Sequence, residues 1–486
     1  MMKDVILPEK GVYARFFPRI WLCSQSVAHF SGDEKQKNSI PLLDGVRAIA
    51  CLSIITFHMN LLACFHGIWN PALDGAGAFG SAMALSGESG VILFFVLSGF
   101  LLFLPYAKSM LFDSDWPSLR RFYMRRVFRV VPGYYVALCL MTLFVAPEYL
   151  RQVNLHNLWL FLTFRMDFPQ TFQRLNSPFW TLALEFQFYI ILPCIAWMMR
   201  LVIRRGALSW RVAKLTFCLL VVLAWGLGTR YWGAFLSGTP TLDFLVPHSI
   251  ADGLKPYIYG TDGKFLETFV VGMLICTLYT YVQYTSVRER LQRYLFSVSL
   301  LLFGIGLCIL VLMSLWHFHR LYMDETFRFL TPYEPLLLTY WDLVYPLCYA
   351  IGYGLCMFAL LYGPAWLKRP FTWRPLRWLG LISYSLYMWH YPIILHFLSS
   401  FLPKFQSLGW SQTAQGGVYW LWLLLVAFPI SIVLYRVIEI PGIRVGERLC
   451  QRWLEQKTRQ KTIAVNELAE QAPINELAEH VPVTRH

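Results

Sequence analysis

None of the eleven cysteines stands in a CxxC pair, and the chain has no H-E-x-x-H, no G-x-S-x-G and no P-loop. Those absences remove the usual signatures of a thiolate metal site, a zinc hydrolase, an esterase-type nucleophile elbow and a nucleotide-phosphate loop. Cys51, Cys139, Cys194, Cys276, Cys308 and Cys356 lie inside apolar runs, so they read as small packing residues, and no metal site is expected. The first forty residues carry charge and lack a continuous apolar core followed by a cleavage site, so no removable signal peptide is expected. No N-x-[ST] sequence occurs in the segments expected outside, which fits a bacterial inner membrane.

What the chain has in quantity is apolar sequence. Of its 486 residues 57% are hydrophobic, and the mean hydropathy is +0.48, well above soluble domains. Runs of roughly 18 to 25 apolar residues, enough to cross a bilayer as helices, fall near 43–63, 88–105, 128–147, 178–202, 212–232, 265–284, 295–316, 336–362, 378–400 and 417–437. The expected fold is an all-α polytopic membrane protein of about ten transmembrane helices. The net charge of +14 is not spread evenly: about 33 Lys and Arg fall on the side of the termini and about 9 on the other. That bias puts both termini in the cytoplasm, and it explains the basic character without nucleic acid, for which no soluble basic domain exists.

The organisation expected is a cytoplasmic leader at 1–42, one membrane domain at 43–440, and a polar cytoplasmic tail at 441–486, amphipathic or partly disordered. The tail repeats Asn466-Glu467-Leu468-Ala469-Glu470 as Asn475-Glu476-Leu477-Ala478-Glu479, too briefly to build a solenoid. The outer segments 148–177, 233–264 and 317–335 carry polar and aromatic groups, Asp243 and Asp252 among them, that could hold a polar acceptor.

Ionisable groups at membrane depth are costly and therefore functional candidates. Arg47 and His58 belong to one helix, and eleven residues leave them about 20° apart around it and roughly 16 Å apart along it. A cation thus sits at the membrane edge with a titratable base about halfway in. Neutral imidazole suits removal of a proton from a hydroxyl, while Asp44, one turn before Arg47, is placed to pair with it. Arg126 and Arg129 share a helical face at the mouth of the third span, and guanidinium groups suit phosphate. Thr181, Glu185 and Tyr189 stack along the fourth span, where a carboxylate needs a partner in the bundle. Weaker signals are Ser383 to His390 in the ninth span, Glu267, Asp342, Arg436 and Glu439. From these residues alone, a carrier or flippase for a polar lipid or metabolite is as reasonable as an enzyme.

Six stretches in order carry a resemblance: Leu43 to His58 with ten residues between Arg and His; Phe94 to Leu102; Arg126 to Pro132; Trp180 to Tyr189; Leu379 to His390; and Tyr435 to Pro441. Over about 40–440 the chain resembles the integral-membrane acyltransferases of type three. Val46 and Thr181 stand where that family more often has Leu and Ser, changes that leave the chemistry intact. The resemblance implies an O-acyltransferase that moves an acyl group, most often acetyl, from cytoplasmic acyl-CoA to a hydroxyl of a carbohydrate or other polar acceptor. It implies acyl-CoA as co-substrate and no permanently bound cofactor. His58 and Glu185 would be catalytic, Arg47, Arg126 and Arg129 would bind acyl-CoA, and Asp44, Trp180, Tyr189, Tyr384 and His390 would support them. Whether transfer is direct or passes through an acylated histidine stays open. No esterase-like domain follows the last span, so the stand-alone form is expected, with any second transfer step left to an extracytoplasmic partner. One water-accessible channel is expected to join the arginines to His58.

Overall fold

Helix signals and membrane length together set the architecture. Pro41 in the first turn, with its preset φ and no N–H to lose, and Asp44 beside the positive helix end start the first span. The computed structural model describes residues 40–70, 75–203, 206–237, 248–323 and 325–471; the leader before Ile40, Asp243 and the second tail repeat lie outside the described residues. Ten long helices account for most of it: α1 Pro41–Phe65, α2 Gly77–Phe112, α3 Leu119–Val145, α4 Phe179–Ile203, α5 Leu208–Leu236, α6 Leu266–Tyr284, α7 Arg288–Tyr322, α8 Leu338–Tyr362, α9 Arg374–Ser400 and α10 Gln412–Gln456. No strand is present among the described residues.

Nine of these ten are long and apolar enough to cross a membrane. The exception is α9, which has the length, at 27 residues, but carries buried Ser383, Ser385, Tyr387 and His390. Its low hydropathy follows from its position, since polar residues that face protein need not match lipid. It packs along α1, and a Cβ on Gly380 would run into the Asp44 carbonyl.

One expected boundary moves: helix α2 begins eleven residues early, through a tight turn at Ser86–Ser89, so residues 77–87 are helical and packed on α1. At the other end helical backbone continues without a break past 440 to Gln471.

The centre of the bundle is α1, α2 and α6, each mostly buried, with α9 packed along α1, whereas α5, α7 and α10 keep most of their surface outward. Helices α2 and α6 approach closely because Gly99 faces the Phe269 carbonyl and Gly272 faces that of Val96. A side chain at either position meets backbone that cannot step aside. Gly272→Val should destabilise the protein by about 1–3 kcal/mol through overpacking, read as a lower unfolding temperature in detergent, whereas Gly304→Val on α7, with open space around it, should be silent.

Candidate active site

Two cavities lie in the centre of the bundle, and the expected residues divide between them. The first spans about 790 Å³, part of it open to solvent, and is lined by Arg47 of α1, Ser98 of α2, Arg126 and Arg129 of α3, Thr181, Glu185 and Tyr189 of α4, and Ser383, Tyr384 and Tyr387 of α9. The shared faces read from spacing, Arg126 with Arg129 and Thr181 with Glu185 and Tyr189, therefore do point to one place. Ser98 donates to Glu185 Oε1 at 2.9 Å, and the Tyr189 hydroxyl donates to the same oxygen. Arg126 stands over the Tyr189 ring, 5.8 Å from its centroid. With three guanidiniums against one lining carboxylate, this cavity suits an anion of several charges.

Asp44 sits behind it as a bridge between Arg47 at 3.8 Å and Arg377 at 3.9 Å. Tyr384 donates to the Val130 carbonyl at 2.7 Å and ties α9 to α3. Glu439, a weak sequence signal, is brought in by a widened helical turn at Tyr435–Glu439, where Ser385 donates to its Oε2 at 2.9 Å and Arg129 is its electrostatic partner. Such turns recur where a helix must aim one side chain inward.

His58 lines the second cavity, of about 700 Å³, and not the first. The single channel expected is thus two chambers that meet at Val91 and Tyr387, the residues common to both linings. Tyr387 is held there by a 2.7 Å hydrogen bond with Thr181. Glu185 keeps company with the arginines and Trp180 lines the His58 chamber, its ring 5.8 Å from that of Phe265.

The partner of His58 is His390. His58 Nδ1 and His390 Nε2 are 2.9 Å apart, and His390 Nδ1 lies 2.8 Å from the Tyr387 carbonyl and 3.2 Å from that of Leu386. A carbonyl only accepts, so His390 carries its proton on Nδ1 and Nε2 is the acceptor. Between neutral rings His58 must then donate through Nδ1, which leaves the Nε2 lone pair of His58 unused by any described residue, on a ring that lines the second chamber. An orienting group behind the base is the arrangement that acid–base catalysis needs. Pro392 helps to build it: lacking an N–H, it frees the Met388 carbonyl one turn back, and Asn176 donates to that oxygen at 2.9 Å.

Sequence reasoning missed three groups of this chamber: Glu88 of α2, Asp262 before α6, and Tyr345 of α8. Tyr345 donates to Asp262 Oδ2 at 3.1 Å, and His317 Nε2 lies 3.4 Å from Glu88 Oε1. Burial pushes the Asp262 carboxyl up to about 6, against the pull of Arg230. The available signals were an acid within a Gly/Ser segment free of Lys and Arg, and an acid inside an outer loop already marked for polar contacts.

An acyltransferase-domain family model matches residues 40–436. The peptidoglycan O-acetyltransferase of Listeria monocytogenes is 26% identical over 375 residues, 73% of this chain and 49% of that protein. A Bacillus subtilis protein named provisionally as a peptidoglycan O-acetyltransferase is 28% identical over 380 residues, again 73% and 49%. A Staphylococcus aureus protein named provisionally as an O-acetyltransferase is 24% identical over 377 residues, 74% and 51%. The chain therefore spans about half the length of the curated relatives it matches. No solved structure matches it significantly.

The wall carrying Asp262 rests on a buried ion pair. Arg230 Nε donates to Glu267 Oε1 at 2.7 Å with both side chains 1% exposed, and Nη1 donates to the Asp262 and Asp342 carbonyls at 3.0 and 3.2 Å. Removing one partner of such a pair strands a charge. Glu267→Gln should cost about 3–5 kcal/mol, measured as a loss of thermal stability in detergent.

Proposed function

The chain belongs to the acyltransferase-domain family, and from that premise we propose that it transfers an acetyl group from acyl-CoA to a hydroxyl of a carbohydrate or related polar acceptor. The observation that carries this reading is the His58–His390 contact at 2.9 Å, which sets an imidazole lone pair into a chamber adjoining a three-arginine cavity. Arg47, Arg126 and Arg129 would hold the phosphates of coenzyme A, with the acyl-bearing arm directed past Val91 and Tyr387 toward His58. Bound in that way, donor and base need no bimolecular search, a gain of several kcal/mol in well-aligned systems.

His58 Nε2 takes the proton of the acceptor hydroxyl as its oxygen attacks the thioester carbonyl. The new C–O bond forms, the C–S bond breaks, and the proton passes from His58 to the departing thiolate. His390 keeps its hydrogen bond to Nδ1 throughout and so holds the ring in place as it gains charge. Glu185 would set the position of Tyr189 and the arginines on the donor side. The names of the relatives favour a carbohydrate acceptor such as peptidoglycan. The excess of Lys and Arg on one side supports a cytoplasmic donor cavity, cytoplasmic termini and a multi-pass location in a bacterial inner membrane, with the His58 chamber toward the far side.

The direct test is free thiol released when purified protein receives acetyl-CoA and a sugar acceptor, which a carrier of the same residues would not produce. His58→Ala should keep expression and membrane insertion while cutting transfer by about 10²–10⁴-fold; turnover near the wild-type rate would remove it as the base. Arg126→Ala should chiefly raise the KM for acetyl-CoA, with the KM for acceptor little changed, as expected for a group that binds the donor.

A further inference from the structure

The His58 chamber contains no Lys or Arg among its lining residues, but it contains two carboxylates, Glu88 and Asp262. Glu88 belongs to the centre of the bundle yet keeps 45% of its side-chain surface accessible. A carboxylate so placed and still open faces a cavity and not a packed core. Asp262 has one oxygen on the Tyr345 hydroxyl, and the two acids feel each other electrostatically.

The nearest cations, Arg320 toward Glu88 and Arg230 toward Asp262, act on these acids from outside the lining of the chamber. Arg230 gives Nε to Glu267 and Nη1 to two backbone carbonyls, with its guanidinium 4.4 Å over the Phe265 ring. Arg320 lies 4.9 Å over the Trp341 ring, outside the lining. His317 is at hydrogen-bonding reach of Glu88 only as a long contact of 3.4 Å. The remaining surface offers hydroxyl and amide groups from Ser89, Gln173 and Ser177, and flat ring faces from Trp180 and Phe265. Acceptor-rich polar groups beside apolar rings suit a polyhydroxylated ring: its O–H groups donate to carboxylates and its carbon face lies on the rings.

We propose that Glu88 and Asp262 are acceptor-binding residues, and that they restrict the acceptor to a sugar residue that is neutral or amine-bearing, excluding one with a carboxylate or phosphate at the reacting unit. The proposal deepens the transfer reading by naming the charge class of the acceptor. An anionic sugar entering this chamber meets two like charges and no lining cation, an unfavourable juxtaposition of the kind by which sites reject wrong partners. A hydroxyl-bearing neutral sugar finds acceptors already oriented around the His58 lone pair.

The test is equilibrium binding to the purified full chain without donor, by saturation-transfer NMR with the methyl glycosides of glucose, glucosamine and glucuronic acid. The expected result is binding of the first two and at least about tenfold weaker binding of the uronic acid, a gap that narrows in Glu88→Gln and in Asp262→Asn. The two single variants are independent, so either suffices should the other fail to fold. Equal or tighter binding of the uronic acid by the wild-type chain, no binding of any of the three, or a gap unmoved in both variants would overturn the proposal. Because no acyl donor is present, the expected selectivity without thiol release in the transfer assay would defeat the transfer reading and leave this one standing.

Discussion

Two imidazoles on helices brought together from opposite ends of the chain share one hydrogen bond, and the transfer chemistry proposed for the protein depends on it. Within a bundle shielded from water a polar ring must find a partner, and the partner chosen dictates which of its nitrogens remains free. His390 is itself fixed by carbonyls of its own helix, so the order of protons runs from backbone to His390 to His58 and ends on a lone pair. A carboxylate behind His58 would have compensated the charge that forms on proton transfer; a neutral ring orients it only.

That pair exists because α9 lies along α1, where its polar residues face protein and not lipid. Gly380 permits the approach at one end through contact with the Asp44 backbone, and Pro392 opens the carbonyl that Asn176 captures at the other. The same helix supplies Tyr384 and Ser385 to the arginine side. One element thereby joins the cation cavity, Glu439 and His58, so that its packing governs both chambers together.

Much of this could be read from residues in order. Runs of apolar sequence located all ten long helices, and helical spacing grouped Arg126 with Arg129 and Thr181 with Glu185 and Tyr189 on faces that do converge. Spacing along one helix also placed Arg47 and His58 on one side, but it carried no information about what stands between them. Val91 and Tyr387 come from other helices, and they divide the expected channel into two chambers. Glu88 and Asp262 escaped for the same reason, since Glu88 acquires meaning only beside His317 of α7, 229 positions on, and Asp262 only beside Tyr345 of α8, 83 positions on. Local composition shows where a helix lies; it is silent on which cavity its side chains share.

The most direct measurement is nitrogen-15 NMR of histidine-labelled protein, with the His58 signals assigned by their loss in His58→Ala. The expected result is a neutral His58 with its proton on Nδ1, an unprotonated Nε2, and a coupling across the hydrogen bond to His390 Nε2. A His58 protonated on Nε2, or one with no coupling to His390, would contradict it.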